Sequence, residues 1–440
     1  MPMTLTTNRW LRITTLSVLY FAQGFPWGFM LTGLLSFLAS RGLTMAESGQ
    51  LTAMAYLPWT FKLFWGPLID SFTYRAMGRR RPWILVAQFG MAASLFTMVM
   101  LGDISANIPL LGWMFFLHNC FASLQDVSCD ALAVDILLPE EQGKVNGVMW
   151  GSKVIGTGMG AMVMGTLLVS KGLVFAITVQ TMIMFGLMLL PLLFTERPGE
   201  KRFPWSQKEK LLSKDTDDIR NPFFVVKDLI EAFRKRPTLL AAIFILTAAV
   251  NQGVNTGIMP VFYNQTLGWE PDTYSQVSGG PGAIFEFIGA LLGGILADRL
   301  GRRKIFFIGW GGFSVWCGIF GILILIFDPI PYWIQFGHLV IWPFFIAMGT
   351  VAMFALTMAL SWTNSSATMF TSYMAMANIS VVVGTKLIGL FTALFSIAHL
   401  YIILMIIGLL PAFLLKGMNP RPIIKLKKLN RINLNKNYKY

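Results

Sequence analysis

Apolar residues run along this chain in long blocks, broken by short polar stretches, rather than alternating with polar residues. Crossing a bilayer as a helix takes about 20 mostly apolar residues. Blocks of roughly that length lie at residues 11–39, 47–70, 83–102, 110–138, 145–170, 173–194, 237–263, 273–298, 304–327, 333–360, 369–394 and 398–416. In hydrocarbon each backbone polar group must be satisfied inside its own segment, so such blocks predict helices. The expected fold is all-α: a polytopic membrane protein with twelve transmembrane helices in two six-helix bundles. The first block is too long for a signal-peptide core and is read as a retained helix.

The polar stretches set the organisation. The one long stretch separates six blocks from six, which divides the chain into a bundle at 1–194, a linker at 195–236, a second bundle at 237–416 and a basic tail at 417–440. Within the linker, Phe224, Leu229, Ile230 and Phe233 recur at helical spacing, as in a helix lying along a membrane surface.

Composition agrees with this class. Hydrophobic residues make up 55% and charged residues 13% of the 440, against about 25% charged in soluble domains. The net charge of +14 is unevenly spread. With both termini in the cytoplasm, only Arg41 and Lys171 of the 35 basic residues face outward, and Lys62, Lys153 and Lys386 fall inside spans. The other 30 lie in inner segments, as the positive-inside rule requires. The basic balance therefore reports topology and lipid contact, not a nucleic-acid partner. Cys120, Cys129 and Cys317 sit in apolar blocks at spacings that suit neither a disulfide framework nor a metal site. No nucleotide loop, metal cluster or nucleophile–base set appears. The expectation is a non-enzyme that needs no cofactor and draws its energy from an ion gradient.

The chain repeats itself. Gln23-Gly24 with Gly28 and Met30 recurs 229 residues on as Gln252-Gly253 with Gly257 and Met259. Gly66, Leu68 and Asp70 recur 228 residues on as Gly294, Leu296 and Asp298, each followed by a basic cluster, Arg79-Arg80-Arg81 and Arg302-Arg303-Lys304. The hexamer GSKVIG (151–156) recurs as GTKLIG (384–389), at an offset of 233. Four matches in one order indicate a duplicated six-helix unit.

Gly293 to Lys304, GGILADRLGRRK, resembles the signature of the major facilitator superfamily, and GPLIDSFTYRAMGRRR (66–81) is similar with an insertion. A closer resemblance runs from YFAQGFPWG in the first span to LQDVSCDALAVDILLPEEQGKVNGVMWGSKVIGTGMG across the fourth and fifth. It is that of the branch holding AmpG-like muropeptide permeases and acetyl-coenzyme A transporters, at Gln125, Asp126, Asp130, Asp135, Pro139, Glu141 and Gly143. Where the permeases tend to have arginine, this chain has Lys153 and Lys386, which cannot grip an anion bidentately. The resemblance implies proton-driven import of anionic anhydro-muropeptides through a bacterial inner membrane, by alternating access of a monomer. A siderophore or acetyl-coenzyme A would suit the same fold. A membrane sensor or assembly protein is the alternative from another class.

Charges inside spans are the candidate chemistry, since each costs about 2.5–3.5 kcal/mol to insert. Asp126 and Asp130, four apart on one helical face, and Glu286, between two phenylalanines roughly 18 Å from its helix end, are proton-coupling candidates or structural ion pairs. Lys62, Lys153 and Lys386 are candidates to hold the anion, with Gln23, Gln252 and Asn255 as neutral hydrogen-bonding groups. The duplication places Lys153 and Lys386 at equivalent points of the two halves. Asp70, Arg79, Arg80, Asp298, Arg299, Arg302 and Asp135 are gating candidates. Trp27 and Trp59 either stack on a sugar ring or pack the wall.

Overall fold

A computed structural model describes residues 4–72, 74–102, 107–203, 205, 229–361 and 366–417. Most of the linker and the basic tail beyond Gly417 lie outside the described residues.

Helix covers every expected span. We label these α1 (Arg9–Ser40), α2 (45–71), α3 (Arg81–Met100), α4 (Ile108–Ile136), α5 (139–171), α6 (Leu173–Leu193), α7 (Arg236–Thr266), α8 (Pro271–Leu300), α9 (Arg302–Ile326), α10 (Tyr332–Leu360), α11 (Ser366–Leu394) and α12 (Ile397–Leu409). Among the described residues, ten helices are long and apolar enough to cross a membrane. The two that fall short are α2 and α4. They carry Lys62 and the Asp126–Asp130 pair.

Polar side chains mark several helix starts. Asn8, Asn107 and Ser396 each accept from a backbone N–H of the first turn, and Thr44 with Glu47 forms a capping box. Helix α2 is interrupted by a 3-10 turn, Leu57–Phe61, with Pro58 at its start. Side chains three apart eclipse in a 3-10 turn, which sets Lys62 beside Trp59. Helices α1, α5, α7 and α8 each contain a π-helical stretch, at Phe29–Leu34, Gly160–Met164, Phe262–Thr266 and Ser278–Gly282.

The chain packs as two compact units. One joins Met1–Ile219 with Ile258–Ala283, and the other joins Arg220–Gly257 with Ile284–Tyr440. In the first, α1 lies against α5 with backbones touching. A Cβ on Gly24 would collide with the carbonyl of Lys153, one on Gly28 with that of Thr157, and one on Gly156 with that of Phe21. Small residues permit this approach where no hydrophobic force draws helices together. The segment 258–283 is held in the same unit by polar contacts. Asn264 Nδ2 donates to Ser36 Oγ at 2.7 Å, and Gln265 Nε2 donates to the carbonyls of Ala39 and Leu43 at 2.8 and 2.9 Å. In the second unit α7 lies against α11 in the same manner. A Cβ on Gly253 would meet the carbonyl of Val381, and one on Gly384 that of Val250.

These contacts correct the alignment of the two hexamers. Gly24 rests on Lys153 and Thr157; its copy Gly253 rests on Val381 and Thr385, 228 residues on in each case. Gly156 meets Phe21 as Gly384 meets Val250. The last glycine of GSKVIG is thus equivalent to the first glycine of GTKLIG, and Lys386 falls five residues beyond the counterpart of Lys153. Five residues on a helix are about 7.5 Å of rise and about 140° of rotation. The expectation that the two lysines are equivalent fails, because backbone contact at the glycines, not the lettering of the hexamer, fixes the register.

Candidate functional site

Four helices of the first unit bring charged groups together at mid-span. Lys62 of α2 forms an ion pair with Asp126 Oδ2 of α4, and both side chains are 5% exposed. Lys153 of α5 approaches the other oxygen of the same carboxylate at 3.7 Å and keeps 20% of its side chain exposed. One turn along α4, Asp130 Oδ1 accepts a hydrogen bond from the Tyr20 hydroxyl of α1. Two ammonium and two carboxyl groups therefore share one neighbourhood, and mutual neutralisation explains how α2, α4 and α5 carry them.

Aromatic rings hold this set in place. Lys62 Nζ lies 4.9 Å and Lys153 Nζ 4.7 Å from the centre of the Trp59 ring. Lys153 also lies 5.7 Å from the Trp150 ring and 5.9 Å from that of Tyr20. Such contacts contribute about 0.5–2 kcal/mol each, more when desolvated. Trp59 Nε1 donates to Asn119 Oδ1 at 3.0 Å, and Trp59 packs edge-on against Trp27, which does the same to Tyr56. Trp59 is thus enclosed by protein groups rather than free to stack on a sugar. Gln23 lies three residues beyond Tyr20 on α1. It is 2% exposed, and neither atom of its amide has a hydrogen-bond partner among the described residues.

The remaining candidates lie in the second unit. Lys386 is exposed on α11, on a stripe with Ile379, Val383 and Leu390. Gln252 and Glu286 are half-buried, and the phenylalanines beside Glu286 point outward. Asn255 is fully buried. Its Oδ1 accepts from the Tyr401 hydroxyl at 2.9 Å and sits 3.2 Å from His338 Nε2. Trp316 Nε1 donates to His338 Nδ1 at 3.1 Å, so Nε2 carries the ring proton and donates to Asn255.

At the basic end of the first unit, Arg80 spans two helices. Its Nη1 lies 2.6 Å from Asp70 Oδ1 of α2 and its Nε 2.9 Å from Asp135 Oδ2 of α4, with Arg79 also near Asp70. Burial opposes the charge on Arg80, but Asp135 and Asp70 more than offset it and hold its pKa above the ordinary value. Behind this cluster the Glu196 carboxylate accepts three consecutive backbone N–H groups, from Arg79, Arg80 and Arg81. Burial pushes the Glu196 carboxyl up against the pull of those donors. Glu200 accepts from the N–H groups of Glu196 and Arg197 at 2.9 and 3.1 Å, and burial, followed by the neighbouring Glu196, raises it to about 7. A second pair, Arg12 with Glu141 at 2.7 Å, ties α1 to α5; the hydrogen bond from Arg12 holds Glu141 below the usual carboxylate range. In the second unit Asp298, Arg299 and Arg302 are exposed, and Arg302 donates to the carbonyl of Ala355 at 3.0 Å.

Sequence reasoning found the charges but missed Tyr20, Trp150 and Glu196. Tyr20 stands on the helical stripe of Gln23 and Trp27, a spacing that could have pointed to it. Glu196 reads as the first charged residue of a polar linker and carries no signal of its three donors.

The sequence profile of the Major Facilitator Superfamily matches residues 16–385 and again 245–431. Among curated proteins, the anhydromuropeptide permease of Escherichia coli is 26% identical over 299 residues, which cover 66% of this chain and 56% of the permease. The match thus spans about half the length of that relative. Among solved structures, the nucleoside transporter NupG superposes with a TM-score of 0.68 at 13% identity, covering 92% of this chain and 99% of its own. The peptide transporter POT, in complex with alafosfalin, superposes with a TM-score of 0.67 at 12% identity, covering 96% and 97%. These likenesses agree with the helical fold, and the profile match extends over most of the chain: the protein belongs to the major facilitator superfamily, a family of membrane transporters rather than of enzymes.

Proposed function

We propose that this protein is a proton-coupled importer of anionic solutes, with peptidoglycan-derived anhydro-muropeptides as cargo. It would work by alternating access in a bacterial inner membrane, as a monomer with both termini in the cytoplasm. The observation that carries the reading is the unequal engagement of two lysines by one carboxylate. Lys62 is buried and paired with Asp126, whereas Lys153 stands 3.7 Å from it and stays partly exposed. Lys153 is therefore the ammonium that receives a cargo carboxylate, and Lys62 serves by holding Asp126. The likeness to the anhydromuropeptide permease supports the choice of cargo.

Asp130 is the principal proton site, one turn from Asp126, and Glu286 a second. Gln23 adds a neutral hydrogen-bonding group to this site; Gln252, half-buried on α7, and Lys386, exposed on α11, are the substrate-binding candidates of the second unit. Asn255 acts by fixing α7 through Tyr401 and His338. Arg80, bridging Asp70 and Asp135 beside Arg79, latches the basic end; Asp298, Arg299 and Arg302 are the second copy of that latch.

The test is thermal stabilisation of the purified protein by a panel of anhydro-muropeptides, acetyl-coenzyme A and ferric siderophores, followed by uptake into proteoliposomes. A ligand that binds the folded state alone raises its melting temperature by mass action. Stabilisation by muropeptides, lost in Lys153→Met, is the expected result. Stabilisation by acetyl-coenzyme A or a siderophore instead would overturn the cargo, and normal uptake by Lys153→Met would overturn the site.

A further inference from the structure

The Tyr20 side chain touches both the candidate proton site and the candidate anion site. Its hydroxyl donates to Asp130 Oδ1, and its ring face lies 5.9 Å from the ammonium of Lys153. We propose that Tyr20 is the coupling residue of the transporter, a positioning residue through which the proton state of Asp130 sets the availability of Lys153. The inference rests on the reading above, in which Asp130 takes the proton and Lys153 the anion.

The backbone around Tyr20 is packed against that of α5. Gly24 and Gly28 of α1 rest on the carbonyls of Lys153 and Thr157, and Gly156 of α5 rests on that of Phe21. Packed surfaces of this kind do not deform continuously, so a signal between α1 and α5 at this level has to move side chains. Tyr20 is suited to that. A phenol donates to a carboxylate, but a carboxyl that has taken a proton is itself a donor. When the proton settles on Asp130 Oδ1 it occupies the place of the phenol hydrogen, and the Tyr20 hydroxyl has to turn or leave. The phenol oxygen is rigidly joined to the ring, so when it leaves, the ring whose centre lies 5.9 Å from Lys153 Nζ tilts with it. In the reverse direction, a cargo carboxylate that draws Lys153 off the ring frees Tyr20 to move.

A second route runs directly through charge. Asp130 is within electrostatic reach of Asp126 on its own helix, of Lys62 from α2 and of Lys153 from α5, besides Tyr20 from α1. Tyr20→Phe separates the two routes. It keeps the ring, and with it the packing and the cation–π contact, and removes only the hydroxyl. If direct charge interaction carries the coupling, the variant couples normally.

The experiment uses the full chain in proteoliposomes with a radiolabelled anhydro-muropeptide. Tyr20→Phe is expected to retain counterflow exchange, which needs no net proton movement, and to lose at least about fivefold in uphill accumulation under an imposed proton gradient. Unchanged accumulation would overturn the proposal, as would a parallel loss of exchange and accumulation. A ligand-free arm stands apart from the identity of the cargo. With fluorotryptophan incorporated, the fluorine resonance of Trp59, assigned through Trp59→Phe, is followed against pH. The expected pH-dependent shift is present in the wild type and absent in both Asp130→Asn and Tyr20→Phe. Its absence in the wild type, or its persistence in Tyr20→Phe, would overturn the proposal. Failure of the wild type to transport muropeptides would overturn only the cargo.

Discussion

Gly24 sits on the backbone of Lys153, so close that a methyl group in place of its hydrogen would overlap the Lys153 carbonyl. The residue that carries the site's exposed ammonium is therefore also a fixed point of the α1–α5 seam. Gly24→Ala should destabilise the protein by about 1–3 kcal/mol through overpacking, and Gly24→Val by more. Gly253→Ala, at the corresponding seam in the other unit, should cost a similar amount. Thermal unfolding in detergent checks both; variants as stable as the wild type would mean that the two helices can part without cost.

The pairing of Lys62 with Asp126 predicts an asymmetric rescue. Lys62→Met leaves a buried carboxylate without its main partner and should cost about 3–5 kcal/mol. The double variant Lys62→Met with Asp126→Asn removes both charges and should recover most of that stability. Melting temperatures of the single and double variants decide it. A double variant no better than Lys62→Met would show that Lys62 does not serve chiefly to neutralise Asp126.

Arg80 reaches Asp70 and Asp135 with different nitrogens of one planar group. A lysine has a single charged nitrogen and cannot span both carboxylates. Arg80→Lys and Arg80→Ala should therefore both loosen α2 from α4, by about 1–2 kcal/mol for alanine, since Asp70 is exposed and Arg79 stays within reach of both carboxylates. Hydrogen exchange of the backbone around Asp70 and Asp135 measures it, and full protection in Arg80→Lys would refute the bridging role.

Glu200 makes the loop-side end pH-sensitive. Its carboxyl is raised to about 7 by burial and by Glu196, so the folded state holds a proton that the unfolded chain releases near pH 4.3. Between those values the folded state binds more protons, and stability falls as pH rises, levelling off above about 7. Glu200→Gln keeps an acceptor for the N–H groups of Glu196 and Arg197 and removes the titration. It should be more stable than the wild type by about 1–2 kcal/mol at pH 8, after allowance for partial exposure, and no more stable at pH 4. Equal melting curves at pH 8 would place Glu200 in water.

The architecture was legible because lipid leaves few options. Each long apolar block had to be a helix, and every block is one. The charged part of the site was legible for a related reason: Lys62, Lys153, Asp126 and Asp130 stand out in apolar surroundings, and their cost requires partners. Neutral groups sent no such signal. Tyr20 and Trp150 are aromatics in segments full of aromatics, and Asn255 gave no hint that its amide oxygen would be taken by Tyr401 and His338. The hexamers misled because four shared letters outweighed glycine spacing in the alignment, whereas in the folded chain only a glycine allows backbone contact at those points.

The five-residue slip between Lys153 and Lys386 bears on how such a protein diversifies. After a duplication, the seams α1–α5 and α7–α11 are bound to stay alike, since both depend on glycine against carbonyl. The charged side chains are under no such bond and differ between the halves. One half has become the chemist, with two lysines and two aspartates neutralising each other, while the other keeps an apolar face with a single exposed lysine. A change of cargo would then centre on the charged copy, leaving untouched the glycine seams that both copies share.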